Sequence, residues 1–110
     1  MTQIEISRHF KEDRLDRYAY IATTIGIGEI IYTYKQEKCK YYNSQPANVN
    51  ITSTGIAIVT SPKGKLITMY VLTIVEARKY YNGKVPFLLA GIIQENMLRK
   101  HHIKQNQVHY

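Results

Sequence analysis

The sequence predicts an α+β fold in which N-terminal helices pack on a small antiparallel sheet and C-terminal helices follow the sheet. Apolar residues recur at helical spacing near both ends of the chain, whereas the centre holds two β-rich runs joined by "SPKG". The length of 110 residues fits a single domain, 1–110, with one hydrophobic core. Residues 1–6 are expected to be a lead, and residues 103–110 a flexible polar tail.

The first predicted helix begins after Ser7, a residue type that caps helix N-termini. His9, Asp13 and Arg17 lie on one face of this helix, each about one turn from the next, whereas Arg14 falls within the apolar arc and needs a partner there. At about 100° per residue, the apolar arc consists of Phe10, Leu15, Tyr18, Ile21, Ala22 and Ile25.

The stretch Thr23–Tyr34, "TTIGIGEIIYTY", allows two interpretations. A second short helix with a turn at Gly26 and Gly28 competes with a strand over Glu29–Tyr34, because β-branched residues favour strands. The helix, ending near the lysines that follow, is the preferred prediction. The next segment, "KCKYYNSQPANVN", is expected to form a strand followed by a loop.

The clearest predicted element is a hairpin over about residues 49–73. The runs "NVNITSTGIAIVT" and "KLITMYVLTI" flank "SPKG", in which Pro62 favours a turn and Gly64 can adopt a positive φ. Both runs contain consecutive apolar residues, so the hairpin is expected to be central, with one face fully covered and the other covered in part. Gly55 within the first run predicts a bulge or the close approach of another group.

Two helices are predicted after the hairpin. "IVEARKYYNGK" indicates a short helix that stops at Asn82 and Gly83, and a longer helix follows with Pro86 in its first turn. This longer helix is expected to pack on the sheet or on a neighbouring subunit, so a homodimer is compatible with the sequence. Its helical spacing rests on Leu88, Leu89, Ile92, Ile93 and Asn96.

The charge of the chain indicates a class of partner. Fifteen Lys and Arg against eight Asp and Glu give a formal charge of +7, which favours polyanions, RNA first among them. Such a charge is also common in small basic proteins that bind no polyanion. Lys63 and Lys65 at the tip of the hairpin serve solubility in that interpretation, but they can also hold a phosphate backbone.

The sequence predicts neither a metal site nor a cofactor. Cys39 is the only cysteine, and the spacing of His101, His102 and His109 does not match that of zinc ligands. The acidic residues are scattered and lack the pairing of a two-metal nuclease. The chain also shows no signal-peptide pattern and no apolar run of about 20 residues, so a cytoplasmic protein that makes no use of a membrane is expected.

Metal-independent RNA cleavage requires a group that transfers protons and cations that stabilise charge on the phosphate. A histidine and two arginines on the first helix, facing threonine and tyrosine side chains of the hairpin, would supply these groups. Arginine suits the phosphate because its planar fork donates paired hydrogen bonds. The residues concerned are His9, Arg14, Arg17, Thr52, Thr54, Thr68 and Tyr70.

A family resemblance covers the chain from Ser7 to about Asn96. A histidine and two arginines on the first helix are followed by "GE" at positions 28 and 29, by the hairpin "ITSTGIAIVTSPKGKLITMY" and by "EARKYYNGKVPFLLAGIIQEN". This order resembles small phage-borne and toxin-like members of the barnase/EndoU/colicin/RelE-like (BECR) nuclease superfamily. The resemblance implies N-terminal helices on an antiparallel sheet and a metal-independent ribonuclease in the cytoplasm of a bacterial host cell, with an antitoxin as a further partner.

The resemblance also implies roles for individual residues. His9 would be the acid/base group, Arg14 and Arg17 would bind the phosphate, and Thr68 and Tyr70 would contact the scissile region. Arg17 is a candidate catalytic residue as well, because it shares a helix face with His9. If these roles hold, His9 and at least one arginine should converge with Thr68 or Tyr70 in one basic concavity.

Other interpretations remain open at this point. The two arginines can form ordinary surface ion pairs along the helix, and the hairpin threonine and tyrosine can serve cross-strand packing. The alternative function is a catalytically inactive phage-type protein that binds a host protein or a nucleotide-derived signal through its tyrosines and its apolar final helix. A DNA-binding accessory protein is a weaker alternative, because no helix-turn-helix spacing is present.

Overall fold

The computed structural model describes residues 5–6 and 15–108, and the side chains of residues 17–99. Over these residues the chain has an α+β fold, as predicted. In chain order the elements are β1 (Glu5–Ile6), α1 (Leu15–Tyr20), a π-helical turn (Ile21–Ile25), β2 (Ile30–Cys39), a 3-10 turn (Lys40–Tyr42), β3 (Gln45–Thr52), β4 (Ile56–Thr60), β5 (Lys65–Val71), α2 (Ile74–Tyr80) and α3 (Phe87–Val108).

The strands form one sheet with the order β1-β5-β4-β3-β2. Strands β2 to β5 are antiparallel neighbours in sequence order, and β1 pairs in parallel with β5. The predicted hairpin around "SPKG" is confirmed, with Ser61 N donating to Lys65 O at 2.8 Å and Gly64 at φ 90°. The first predicted run divides into β3 and β4, however, because the chain turns back at Gly55.

The prediction of a second N-terminal helix in Thr23–Tyr34 is wrong. The helical region ends with the π-helical turn, Gly26 and Gly28 take φ values of 84° and 74°, and β2 begins at Ile30. Isoleucine, threonine and tyrosine favour an extended backbone, and pairing with β3 provides the hydrogen bonds that a helix would have supplied. The predicted loop after Cys39 is also shorter than expected, since β3 begins at Gln45.

Both faces of the central strands are covered. Every residue of β4 is buried, as is every residue of β5 after Lys65, which confirms the central position of the hairpin. Helices α2 and α3 cover one face, and α1 with the π-helical turn covers the other. The first layer contains Cys39, Ala47, Val49, Ile51, Ala57, Val59, Ile67, Tyr70, Leu72, Ala77, Tyr80, Leu89 and Ile93. The second contains Ile21, Ile56, Ile58, Leu66, Met69 and Val71.

The close approach predicted at Gly55 is confirmed. A Cβ atom at Gly55 would lie 2.9 Å from Asn96 Nδ2. Asn96 is buried in α3 and donates from this nitrogen to Thr54 O at 2.8 Å. The β3–β4 turn and α3 are therefore joined at a point where no side chain fits.

The two C-terminal helices follow the prediction at their starts. Thr73 and Glu76 form a capping box at the start of α2, and the chain leaves this helix through Asn82 and Gly83, both at positive φ. Helix α3 begins after Pro86 and continues to Val108, through most of the predicted tail. At the other end, β1 lies within the predicted lead. No helix within residues 15–108 is both long and apolar enough to cross a membrane.

Candidate functional site

Of the residues predicted for a catalytic site, the structure describes Arg17, Thr68 and Tyr70, and it does not bring Arg17 together with the other two. His9 and Arg14 lie outside the described residues. Arg17 belongs to α1, on one face of the sheet, whereas Thr68 and Tyr70 belong to the face under α2 and α3. The sheet therefore separates Arg17 from Thr68 and Tyr70.

Thr68 and Tyr70 are also closed to a substrate. Their exposed fractions are 0% and 7%. They pair across the hairpin with Val59 and Ala57, which is the packing role that the sequence left open for them. Lys65, by contrast, is exposed at the start of β5 and can reach a ligand.

The hydroxyl groups of Tyr70 and Tyr80 form a buried pair 2.9 Å apart. Burial, together with the hydrogen bond to Tyr80, raises the pKa of Tyr70 far above its ordinary value. Burial likewise raises the pKa of Tyr80. Both groups therefore keep their protons at neutral pH, so they can donate hydrogen bonds but cannot act as a general base.

This pair belongs to a layer of tyrosine rings between the sheet and α2. The rings of Tyr32 and Tyr81 stack with centroids 4.3 Å apart. Tyr34 contacts Tyr80 at 5.1 Å, and the ring of Tyr41 lies 5.7 Å from that of Tyr70. The layer brings α2 against the edge strand β2, because aromatic pairs add to the free energy of burial. It consists of Tyr32, Tyr34, Tyr41, Tyr70, Tyr80 and Tyr81.

At the border of this layer lies a cleft of about 240 Å³, which we call the lysine cleft. Three exposed lysines and one glutamate contribute its charges. The Nζ atom of Lys40 lies 5.0 Å from the centroid of the Tyr41 ring, so cation and ring are close enough to attract each other. The lining residues are Gln36, Lys38, Lys40, Tyr41, Glu76, Lys79 and Tyr80.

A break in the β2–β3 ladder positions two of these lysines. Between Gln36 and Cys39, two residues of β2 lie opposite Pro46 alone. Proline has no N–H to donate, so the ladder is interrupted and β2 forms a bulge. Lys38 lies in the bulge and Lys40 begins the 3-10 turn that follows, and both line the same cleft.

The third lysine comes from α2. Ala77 and Tyr80 form the buried side of this helix, which leaves Lys79 exposed in its last turn. Glu76 lies in the same cleft, but its Oε1 atom accepts hydrogen bonds from Thr73 N at 3.0 Å and from Thr73 Oγ1 at 2.9 Å. One oxygen of this carboxylate is thus engaged in capping the helix.

A second cleft, of about 420 Å³, adjoins the same end of β2. We call it the proline cleft, because Pro46 and Pro62 form part of its wall. It has one positive and one negative side chain, and its other polar groups are amides. The lining residues are Lys35, Gln36, Glu37, Pro46, Ala47, Asn48 and Pro62.

The topology extends the positive charge beyond the lysine cleft. Because β2 to β5 form an antiparallel meander, the β2–β3 connection and the β4–β5 turn lie at the same end of the sheet. Lys63 and Lys65 of that turn therefore lie at the end that carries Lys38 and Lys40. Helical and strand periodicity could not reveal this grouping, since the lysines are far apart in sequence.

The described residues contain no group of three or more His, Cys, Asp and Glu that could hold a metal ion. No protein-family model, no curated protein and no solved structure matches this chain. The chemistry of the two clefts is therefore the basis for a functional assignment. The lysine cleft can bind an anion and donate hydrogen bonds to it.

Proposed function

We propose that this protein binds single-stranded RNA by holding the phosphate backbone in the lysine cleft. The observation that carries the proposal is the convergence of Lys38, Lys40 and Lys79 around one concavity. Lysine ammonium groups bind phosphates as point charges, and the release of counterions from the nucleic acid favours such binding. The formal charge of +7 would also attract RNA to the molecule from a distance.

A tyrosine of the cleft supports a single strand over a duplex. Tyr41 is partly exposed beside the lysines, whereas Tyr80 lines the cleft as a buried residue. Proteins that bind single strands combine a basic groove with aromatic side chains, because unpaired bases can contact the rings. A duplex keeps its bases stacked inside the helix, so its bases could not enter a cleft of about 240 Å³.

Binding without turnover is the role proposed for this cleft. One carboxylate oxygen of Glu76 is engaged with Thr73, and Tyr80, whose pKa is raised by burial, is protonated at neutral pH. Tyr80 would therefore not accept a proton from a ribose hydroxyl. Cleavage by His9 with Arg14 and Arg17 stays a separate prediction, drawn from the resemblance to BECR nucleases.

Fluorescence anisotropy with a labelled RNA of about 12 nucleotides tests the proposal, since single-strand sites span roughly 4–16 nucleotides. The variant Lys38→Gln/Lys79→Gln should raise the Kd about tenfold or more, which corresponds to at least about 1.4 kcal/mol. The matched control is Lys84→Gln/Arg99→Gln, which removes the same charge from exposed residues outside both clefts. Equal losses in the two variants would mean that net charge, not the cleft, holds the RNA.

A second measurement addresses cleavage. The same RNA is incubated with the wild-type protein and with the variant His9→Ala/Arg17→Ala in the presence of EDTA, and the products are separated on a gel. Cleavage by the wild type that disappears in the variant would support the ribonuclease prediction. Intact RNA in both reactions would remove it and leave the binding proposal unaffected. A DNA of the same sequence in the anisotropy assay shows whether the 2′-hydroxyl contributes.

A further inference from the structure

We infer that the proline cleft binds a nucleobase of the same strand whose phosphates lie in the lysine cleft. The inference rests on the proposed function. Gln36 lines both clefts, so the two adjoin each other at the edge strand β2, with the lysine cleft on the face under α2 and the proline cleft on the opposite face. Strand β2 is the last strand of the sheet, and no described strand pairs with its outer edge. A polynucleotide can therefore pass from one cleft to the other around that edge.

The charge balance of the two clefts differs in the way that a phosphate and a base require. The lysine cleft has three lysines against Glu76, whereas Lys35 and Glu37 balance each other in the proline cleft. A phosphate carries a full negative charge and favours the first environment. A base is neutral and offers both donors and acceptors, so it fits a cleft with one group of each sign and two amides.

The amides of the proline cleft are free to contact a ligand. Across the residues whose side chains are described, neither Gln36 nor Asn48 has a side-chain hydrogen bond to another group, whereas the Asn50 amide makes three. An asparagine or glutamine amide can pair with the donor and acceptor groups on a base edge. Asn48 is partly buried, so its position is set by packing before any ligand arrives.

The remaining wall of the proline cleft is apolar, and the volume of this cleft suits a nucleobase. Pro46 and Pro62 present exposed rings beside the amides, and such surfaces can contact the face of a base. The volume of about 420 Å³ lies in the range of roughly 300–1,000 Å³ that is usual for small-molecule sites. Lys63 follows Pro62 in the β4–β5 turn, where it can contact the next phosphate of the strand.

The test compares an RNA of about 12 nucleotides with an abasic oligonucleotide of the same length and backbone. Wild-type protein should bind the RNA more tightly than the abasic probe. Asn48→Ala should weaken RNA binding about fivefold, which is about 1 kcal/mol, and leave binding of the abasic probe unchanged. Gln94→Ala is the control, because Gln94 is an exposed amide on α3 that lines neither cleft. The Lys38→Gln/Lys79→Gln variant should weaken both probes.

The possible failures are distinguishable. If Asn48→Ala binds RNA as the wild type does, or if the wild type binds both probes equally, the base site is wrong and the lysine cleft stands. If the wild type binds neither probe, the proposed function fails and the base site with it. A circular dichroism spectrum and thermal midpoint equal to those of the wild type show that Asn48→Ala has folded. Asn48→Gln, which keeps the amide, should restore part of the RNA affinity.

Discussion

Gly55 lies where the β3–β4 turn meets α3, and two conditions exclude a side chain there. Its φ of 83° belongs to the left-handed region, which other residues adopt at a cost. A Cβ atom would also come within 2.9 Å of Asn96 Nδ2. Gly83 has the same φ of 83°, but a Cβ atom there would meet nothing within 4 Å. A comparison of alanine substitutions at these two glycines therefore separates the cost of the backbone conformation from the cost of the steric clash.

We predict that Gly83→Ala lowers the free energy of unfolding by about 1 kcal/mol and Gly55→Ala by about 3 kcal/mol. Both variants strain the backbone, but only Gly55→Ala also displaces Asn96 and breaks its hydrogen bond to Thr54 O. Urea unfolding followed by circular dichroism measures both values. Equal losses in the two variants would show that Asn96 adjusts freely.

Tyr70 should make the free energy of unfolding depend on pH in the alkaline range. Its pKa is raised in the folded state, chiefly by burial, whereas in the unfolded chain it is about 10. Below about pH 10 both states keep the proton, and the contribution of Tyr70 to stability is complete. Above that pH the unfolded chain loses the proton while the folded protein retains it, so stability falls as the pH rises.

Each tyrosine that holds its proton in this way should lower the free energy of unfolding by about 1.4 kcal/mol per pH unit above pH 10. Tyr70→Phe is expected to lose about 1 kcal/mol at neutral pH, because the hydrogen bond with Tyr80 is removed, and to show a shallower alkaline decline. Urea titrations at pH 8, 10 and 11 would test this. A decline as steep as that of the wild type would mean that Tyr70 is not responsible.

At the scale of elements, a side-chain network connects β2 to the rest of the sheet. Thr33 Oγ1 donates to Asn50 Oδ1 at 2.9 Å, and Asn50 Nδ2 donates to Ile58 O at 2.9 Å and to Thr60 Oγ1 at 3.0 Å. One amide on β3 thus links the edge strand to β4. Asn48 lies two residues earlier, on the same face of β3, and takes no part in this network.

Asn50→Ala should lower the free energy of unfolding by about 2 kcal/mol, because the buried Thr60 hydroxyl loses a partner and the Ile58 carbonyl loses one of its donors. Asn48→Ala, the matched substitution on the same strand, should change it by less than about 0.5 kcal/mol. Thermal unfolding of the two variants provides the comparison. Similar losses would contradict the structural role assigned to Asn50.

At the scale of the whole molecule, the antiparallel meander collects charge at one end of the sheet. The lysines of β2, of the 3-10 turn, of the β4–β5 turn and of α2 are separated by up to 44 positions in sequence, from Lys35 to Lys79. Their grouping gives this end of the sheet more positive than negative side chains, which would attract a diffusing polyanion. The residues are Lys35, Lys38, Lys40, Lys63, Lys65 and Lys79.

If the protein binds RNA as proposed, the binding should depend steeply on salt. For a single strand, the slope of log K against log salt concentration changes by about 0.7 for each phosphate contact. Lys38→Gln/Lys79→Gln should therefore reduce the slope by about 1.4, whereas Asn48→Ala should leave it unchanged. Titrations between about 50 and 200 mM salt cover the useful range. An unaltered slope in the lysine variant would show that these two side chains do not contact phosphates.

Local patterns predicted the elements whose sequence signals agree with their tertiary setting. The hairpin, the stop of α2 at Asn82 and Gly83, and the crowding at Gly55 were all correct. The strand over Glu29–Tyr34 was the alternative to the preferred helix, because "TTIGIGEIIYTY" is locally ambiguous, and pairing with β3 decides for the strand. The arrangement of Arg17, Thr68 and Tyr70 could not be predicted either, because it depends on which face of the sheet each element covers.

The α+β class, the β4–β5 hairpin, the two C-terminal helices and the net positive charge can all be predicted from the sequence. The elements follow from apolar spacing and turn chemistry, which act over a few neighbouring residues, and the charge follows from composition. The convergence of Lys38, Lys40 and Lys79 and the burial of Thr68 and Tyr70 depend instead on the three-dimensional fold. Strand order and helix placement bring distant residues together, and both are set by the packing of the whole chain.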